Sequence, residues 1–309
     1  MDLSIVIPVF NERENLKPLY KSLVDVLKKL KRKYEIIFVD DGSTDESYQV
    51  MRDIQKRDNR VRIIKFRRNF GKSDALTAGF KKSCGDIIFT LDADLQDDPE
   101  EIPKFLDKIS QGYDLVVGWR FKRNDPITKR LPSKMFNLIT SLITGIHLHD
   151  FNCGYKAYRG EVVRNINLYG ELHRYIPVLA VWKGYSVGEV KIRHRARRFG
   201  ESKYGFNRLM KGFLDLITVK FLTTYAKRPL HFFGFFGMLS FLLGIISGIY
   251  ILYLKFIINS SIGDRPILIL TILLILVGIQ FISLGLLGEM IVSRKEVVGD
   301  EGISLKSTE

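Results

Sequence analysis

Gly85-Asp-Ile-Ile-Phe-Thr-Leu-Asp92-Ala-Asp94-Leu-Gln96 is the stretch on which the reading of the whole chain turns. An apolar run of strand character ends there in two carboxylates one residue apart. Strand side chains alternate faces, so Asp92 and Asp94 are expected to point the same way. Open α/β sheets keep their ligand crevices at the carboxyl ends of strands, and two hard anionic oxygens there suit a Mg²⁺ or Mn²⁺ ion that also holds phosphates. The same letters fit a solvated acidic turn, because Asp97, Asp98, Glu100 and Glu101 follow. The other strand ends have to decide between the two.

Around this run, apolar stretches alternate with helical patterns through the first 120 residues. Strands are expected at Leu3 to Phe10, Glu35 to Asp41, Val61 to Phe66, Asp86 to Asp92 and Asp114 to Trp119. Segments 12–31, 45–58, 72–82 and 99–111 are long enough for crossover helices. Repeated βαβ units with near-continuous hydrophobic strands predict an α/β fold with a mainly parallel, Rossmann-like sheet covered on both faces. Past residue 120 the alternation weakens. An apolar helix is expected from Leu131 to Ile146, and Phe206, Leu209, Met210, Phe213, Ile217 and Phe221 keep helical spacing in a second. That second helix suits either the membrane interface or packing on the globular domain.

The C-terminal third is different in kind. No Asp, Glu, Lys or Arg occurs from His231 to Leu254 or from Ile267 to Leu287. Each run spans a hydrocarbon core of roughly 30 Å as a helix, and neither has the polar face of a buried soluble helix. Two transmembrane helices are therefore predicted. Basic residues flank them at Lys227, Arg228, Arg294 and Lys295, against Lys255 and Arg265 between them, which slightly favours both ends inside. Met1 to Pro8 reads as a strand, not a signal peptide. The expected organisation is a cytosolic α/β domain over 1–203, a juxtamembrane amphipathic helix over 204–229, a two-helix membrane domain over 230–288 and a cytosolic tail over 289–309. In the first span Ser240, Gly244 and Gly248 recur every fourth residue, a small-residue face compatible with a homo-oligomer.

Charge is as uneven as hydropathy. Of the 48 Lys and Arg, 43 lie in the first 229 residues, against 28 of the 34 Asp and Glu, roughly +15 for that part. Such a surface beside a membrane favours anionic headgroups and phosphorylated substrates. No zinc-finger spacing, aromatic RNA-binding signature or heptad-linked basic region accompanies it, so no nucleic-acid partner is expected. Cys84 and Cys153 make no disulfide framework, which fits a reducing cytosol. His147 and His149 are taken as structural.

Four motifs share one arrangement. Ser4-Ile-Val-Ile-Pro8-Val-Phe-Asn11-Glu12 ends the first strand, and Phe38-Val-Asp40-Asp41-Gly42-Ser43-Thr44-Asp45 ends the second. Asn69-Phe-Gly71-Lys72 opens the third crossover, and Asp92-Ala-Asp94-Leu-Gln96 ends the fourth strand. In a parallel sheet all four converge on one edge. This ordered set resembles the inverting, family-two GT-A glycosyltransferases. The continuations Asp94-Leu-Gln96-Asp97-Asp98-Pro99-Glu100, Val117-Gly-Trp-Arg120 and Arg198-Phe-Gly200-Glu201-Ser202-Lys203 resemble its polyprenyl-phosphate branch, of the dolichyl-phosphate mannose synthase and bacterial undecaprenyl-phosphate glucosyltransferase type. The likeness covers about residues 1–225 and the two spans. The Gln-x-x-Arg-Trp motif of processive polysaccharide synthases is absent.

By matching position, the resemblance implies that Pro8, Asn11, Glu12, Asp41 and Lys72 line the base and ribose site, with Lys72 also able to serve the phosphates. Asp92 and Asp94 bind the metal on the donor diphosphate, with Gln96 as a further oxygen ligand. A lipid monophosphate is already largely an anionic nucleophile at neutral pH, so no general base is required. Fixed cations are required, to bring two phosphate-bearing substrates together. Arg120, Arg130, Arg198 and Lys203 are the candidates, with Ser133 and Ser202 as hydroxyl donors and Lys203 also on the nucleotide sugar. Asp150 matches a family acidic motif and orients either the donor sugar or a cationic side chain, or shapes a turn. The implied enzyme moves one hexose from a nucleotide sugar to a polyprenyl phosphate at the cytosolic face of the inner membrane, using Mg²⁺ or Mn²⁺. UDP-glucose with undecaprenyl phosphate comes first and GDP-mannose with a dolichyl-type phosphate second. A catalytically silent nucleotide- or lipid-binding membrane scaffold is the rival of another class. The pairing of Asp92 and Asp94 with Arg120 and Lys203 argues against it.

Overall fold

The structure is a computed structural model that describes residues 1–121, 127–166, 168, 170–195, 206–225, 228–259, 261, 263 and 266–298, with backbone alone for 127–132, 206–213, 222 and 294–298. Two compact units emerge, Met1–Val219 and Lys220–Glu309. The first begins β1 (Leu3–Val9), α1 (Arg13–Lys29), β2 (Tyr34–Asp40), α2 (Ser47–Arg57), β3 (Val61–Lys65), α3 (Lys72–Lys82), β4 (Ile87–Thr90), α4 (Ile102–Ser110) and β5 (Leu115–Arg120). It continues through α5 (Ile127–Thr144), β6 (Lys156–Arg159), α6 (Gly160–Asn165), α7 (Ile176–Trp182), β7 (Val187–Ile192) and, as far as Val219, α8 (Phe206–Thr224). All seven residues of β2 are buried, as a central strand covered on both faces requires.

The sheet order is β3-β2-β1-β4-β6-β5-β7. The chain winds outward from β1 to β3, then returns to place β4 beside β1 in parallel, so the switch point lies between β1 and β4. Helices cover opposite faces. Phe89 meets Phe105 of α4, while the next residue, Thr90, meets Tyr158, which packs on Phe80 of α3.

Beyond residue 120 the sheet continues, which the weakened alternation did not disclose. β6 runs antiparallel to both β4 and β5, whereas β7 is parallel to β5. A reversed strand brings its amino end to the edge where its neighbours bring their carboxyl ends. The loop that enters β6 therefore joins the strand ends that carry the sequence motifs. In α8, Leu216 and Val219 are buried in the first unit's core, while Leu214 and Ile217 are exposed. This helix thus packs on the globular domain with one face and offers an apolar face on the other.

The second unit holds α9 (Pro229–Phe256) and α10 (Pro266–Val298), and the stretches Pro229–Phe256 and Pro266–Ser293 are each long and apolar enough to cross a membrane, with mean hydropathies of 2.2 and 2.9. Their packing uses the small-residue face. A Cβ on Gly244 would lie 2.6 Å from Ile275, one on Gly237 would lie 2.9 Å from the Gly278 carbonyl oxygen, and Ser240 Oγ donates to Leu274 O at 2.9 Å. The stripe that suggested a homo-oligomer is occupied within the chain, so it carries no argument for self-association.

Gly42 joins the second and third strand ends. Its φ is +71°, and a Cβ there would lie 2.3 Å from the Arg68 carbonyl carbon and 2.6 Å from Asn69 N. Gly42→Ala combines left-handed strain with a backbone clash. It is expected to cost about 2 kcal/mol or more in stability, read by thermal or denaturant unfolding; an unchanged midpoint would refute the tight crossing.

Candidate active site

The loops after β1 and β2 are laced together. Asn11, at φ +55°, accepts from Thr44 N (2.8 Å) through Oδ1 and donates its own N–H to Ser43 Oγ (3.1 Å). Glu12 N donates to Ser47 Oγ (2.9 Å), and its carboxylate accepts from Asn15 Nδ2. Asp40 Oδ1 accepts from Ser43 N (2.9 Å) and Asp45 Oδ1 from Ser47 N (3.0 Å), so these two carboxylates cap the turn into α2. Asp41, expected on the nucleotide, is buried and accepts from the N–H groups of Phe70 (2.7 Å) and Gly71 (3.0 Å). Its carboxylate holds the third loop against the second, and that places Lys72 at the start of α3. Pro8 lies half-buried in β1 beside this lacing.

Lys72 reaches the fourth strand end, where its Nζ forms an ion pair with Asp92. This puts Lys72 beside one of the two carboxylates expected to hold the metal. The strand itself stops at Thr90, and Asp92 to Gln96 form a turn in which Leu95 takes φ +61° and Gln96 N donates to Asp94 Oδ1 (3.2 Å). A turn, and not strand alternation, therefore sets the two carboxylates. Gln96 turns its amide nitrogen toward Arg195 O (3.5 Å), and Arg195 N donates to Gln96 O (2.9 Å).

Opposing charges crowd this edge. Burial works against ionisation of Asp92, yet Lys72, Lys156 and Arg120 outweigh it and hold the carboxyl below its ordinary value. Asp97, 6% exposed, is pushed up to about 7 by burial and by the charges of Asp92 and Asp94. Among the described residues no group of three His, Cys, Asp or Glu side chains forms a complete metal cage. The donor set nevertheless fits a divalent cation held by two carboxylates and completed by phosphate oxygens, since Asp92 and Asp94 share one turn and the charges of both act on Asp97.

Arg120 ends β5 and is gripped by Asp150, with Nε to Oδ2 at 2.6 Å and Nη2 to Oδ1 at 3.0 Å, both side chains largely buried. Of the roles open to Asp150, the structure shows the orientation of a cationic side chain. Next to this pair lies a cleft of about 560 Å³ whose lining includes Trp119, Phe121, Leu138, Leu148 and Lys134. His149 forms part of its wall, stacked on Trp119 at 3.7 Å and paired with Glu189 at 2.8 Å. Ser133 is half-buried on α5. The Arg130 side chain and residues Arg198, Ser202 and Lys203 lie outside the described residues.

Sequence reading missed Asp97, Gly154 and Lys156. Lys156 is 3% exposed and donates to Cys153 O. Burial, with Lys72 adding to it, pulls its pKa down to about 8 against the attraction of Asp150 and Asp92. The only available sign was a lysine in the otherwise apolar Cys153-Gly-Tyr-Lys156-Ala-Tyr158, and a single letter of that kind does not identify a neighbour.

An open α/β sheet binds its ligands in the crevice at such a switch point, and here that crevice lies beside an acidic turn flanked by fixed cations. The family model of glycosyl transferase family 2 matches residues 4–166. The chain is 38% identical over 296 residues to the dodecaprenyl-phosphate galacturonate synthase of Rhizobium johnstonii, covering 94% of this chain and 88% of that protein. It is also 38% identical over 291 residues to the undecaprenyl-phosphate 4-deoxy-4-formamido-L-arabinose transferase of Shewanella sediminis, covering 94% and 86%. The chain belongs to glycosyl transferase family 2. A solved structure of glucosyl-3-phosphoglycerate synthase from Mycobacterium tuberculosis, in complex with Mn²⁺, UDP and glucosyl-3-phosphoglycerate, shares the fold, with a TM-score of 0.56, 17% identity and coverage of 72% of this chain and 79% of that one.

Two outcomes test these electrostatics. Asp150→Asn leaves a buried guanidinium without its charge partner and is expected to destabilise by about 3–5 kcal/mol, whereas Arg120→Met with Asp150→Leu costs much less; equal losses would contradict a buried pair. For Lys156 the unfolded chain keeps its proton to about pH 10.4 while the folded protein releases it near 8, so stability rises with pH across that window, by roughly 1 kcal/mol per unit. Lys156→Met lacks this term. Its stability relative to the parent should decline from pH 8 to 10 in paired unfolding curves, and a flat difference would refute the buried ammonium.

Proposed function

We propose that this protein transfers a sugar from a nucleoside diphosphate donor to a polyprenyl phosphate, inverting the anomeric centre. The observation that carries the reading is the position of Arg120. Its charge acts on Asp92 and Asp97 at the donor end, while its side chain also lines the cleft shared by Trp119, Leu138 and Leu148. An amphipathic acceptor with an anionic head and an apolar tail matches such a cleft, and the two similar proteins above are named for dodecaprenyl and undecaprenyl phosphate.

In this reading Asp92 and Asp94 hold a Mg²⁺ or Mn²⁺ ion, which when bound neutralises charge on the departing diphosphate. Lys72 adds a second positive charge on the same side. Asn11, Glu12 and Asp41 keep the first three strand-end loops together around the base and ribose. Arg120, fixed by Asp150, offers its remaining edge to the acceptor phosphate. Arg130, Ser133, Arg198, Ser202 and Lys203 are proposed to complete the phosphate contacts, and Gln96 to add an oxygen to the metal. The acceptor phosphate is its own nucleophile, so no side chain has to remove a proton.

UDP-glucose is the donor that the motif resemblance puts first and GDP-mannose the second. The similar proteins are named instead for galacturonate and 4-deoxy-4-formamido-L-arabinose. The donor panel therefore includes nucleotide derivatives of all four sugars. The two spans are proposed to anchor the protein in the inner membrane, with the catalytic domain and both termini in the cytosol.

Purified full-length protein is incubated with each labelled donor, undecaprenyl phosphate and Mn²⁺ or Mg²⁺, and the lipid is extracted. Label is expected in the lipid phase with at least one donor, and its absence with every donor from folded protein would overturn the proposal. Asp94→Ala is expected to lower transfer by about 10²-fold or more; undiminished transfer would remove Asp94 from the chemistry.

A further inference from the structure

Asp92 rests against a residue with no side chain. An ideal Cβ on Gly154 would lie 2.5 Å from Asp92 Oδ2, 2.7 Å from its Cγ and 2.8 Å from its Oδ1. Carbon does not approach a carboxylate so closely, so the carboxylate occupies the space that any other residue at 154 would fill. Gly154 is not among the residues with positive φ. Its bare backbone, and not its conformational freedom, is what the site uses.

The surrounding contacts keep the segment from backing away. Thr90 Oγ1, two residues before Asp92, donates to Gly154 O at 2.7 Å. Lys156 Nζ donates to Cys153 O, and Gly118 N donates to Tyr155 O at 2.9 Å. On the β5 side there is no slack either, because a Cβ on Gly118 would itself lie 3.1 Å from both Cys153 Sγ and Tyr155 O. An atom added at 154 is thus transmitted to Asp92, because the backbone beneath it is held on three sides.

We propose that Gly154 is a positioning residue for Asp92: the flat seat, pinned by Thr90, that holds this carboxylate in the orientation from which it binds the metal of the donor complex. The inference rests on the reading of Asp92 as a metal ligand given above.

Mn²⁺ binding to the full-length protein, followed by the electron paramagnetic resonance of free Mn²⁺, alone and with UDP or GDP, reads the seat without any turnover. Gly154→Ala is expected to weaken Mn²⁺ binding by about tenfold or more, and in assays to raise the KM for Mn²⁺ more than it lowers kcat. Thr90→Val keeps the shape of the side chain but loses the bond to Gly154 O, and is expected to weaken binding in the same direction by a smaller factor. Parent affinity in folded Gly154→Ala, or in Thr90→Val should Gly154→Ala not fold, would overturn the inference while loss of binding in Asp92→Ala left the metal reading standing. Parent affinity in Asp92→Ala would overturn both.

Discussion

Three carboxylates crowd the loop that follows one central strand, and the structure around them is arranged to make that tolerable. Asp94 and Asp97 are each 6% exposed, and burial together with the charges of Asp92 and Asp94 raises the pKa of Asp97. Concentrated negative charge in a low-dielectric setting is unfavourable unless cations face it. Lys72, Lys156 and Arg120 supply them from three different elements, the start of α3, the reversed strand β6 and the end of β5. The same imbalance that strains the protein alone is what gives a divalent cation carrying a diphosphate a reason to bind.

Topology explains how these groups meet. Parallel β1, β2, β4 and β5 deliver their carboxyl ends to one edge, and antiparallel β6 delivers its amino end to the same edge. Asp150, Gly154 and Lys156 therefore reach Arg120 and Asp92 although 30 to 64 residues separate these partners in the chain. Arg195 and Asp98 form a further tie, and His194 bridges to Asp97, so the segment after β7 closes the acidic loop from the other side. Each tie restricts one loop against another, and a preorganised site of this kind reorganises little when charge develops on a leaving group.

Sequence reading reached the first half of the fold because its strands are continuous apolar runs closed by recognisable loops. β1 to β5 lie within two residues of their expected ends, and the two apolar spans are helices. It stopped at β6 and β7, strands whose residues Lys156, Arg159, Glu189 and Lys191 dilute the apolar pattern. The site was legible as a set of strand ends and much less so as contacts. Asp41 was recognised as a special position, yet its partners Phe70 and Gly71 contribute only backbone N–H groups, which leave no trace in a side-chain pattern. Gly154 was invisible for the complementary reason, since what matters there is an absence of atoms next to a residue 62 positions away.

In the proposed site Asp92 and Asp94 clamp a metal ion onto a nucleoside diphosphate. Electron–nuclear double resonance of Mn²⁺ bound to the full-length protein with UDP or GDP measures the ³¹P hyperfine coupling, which is strong only when phosphate oxygens ligate the ion. A strong coupling in the parent that disappears in Asp94→Ala is the expected result. A protein-bound Mn²⁺ signal without phosphorus coupling, or a coupling unchanged by Asp94→Ala, would contradict the clamp.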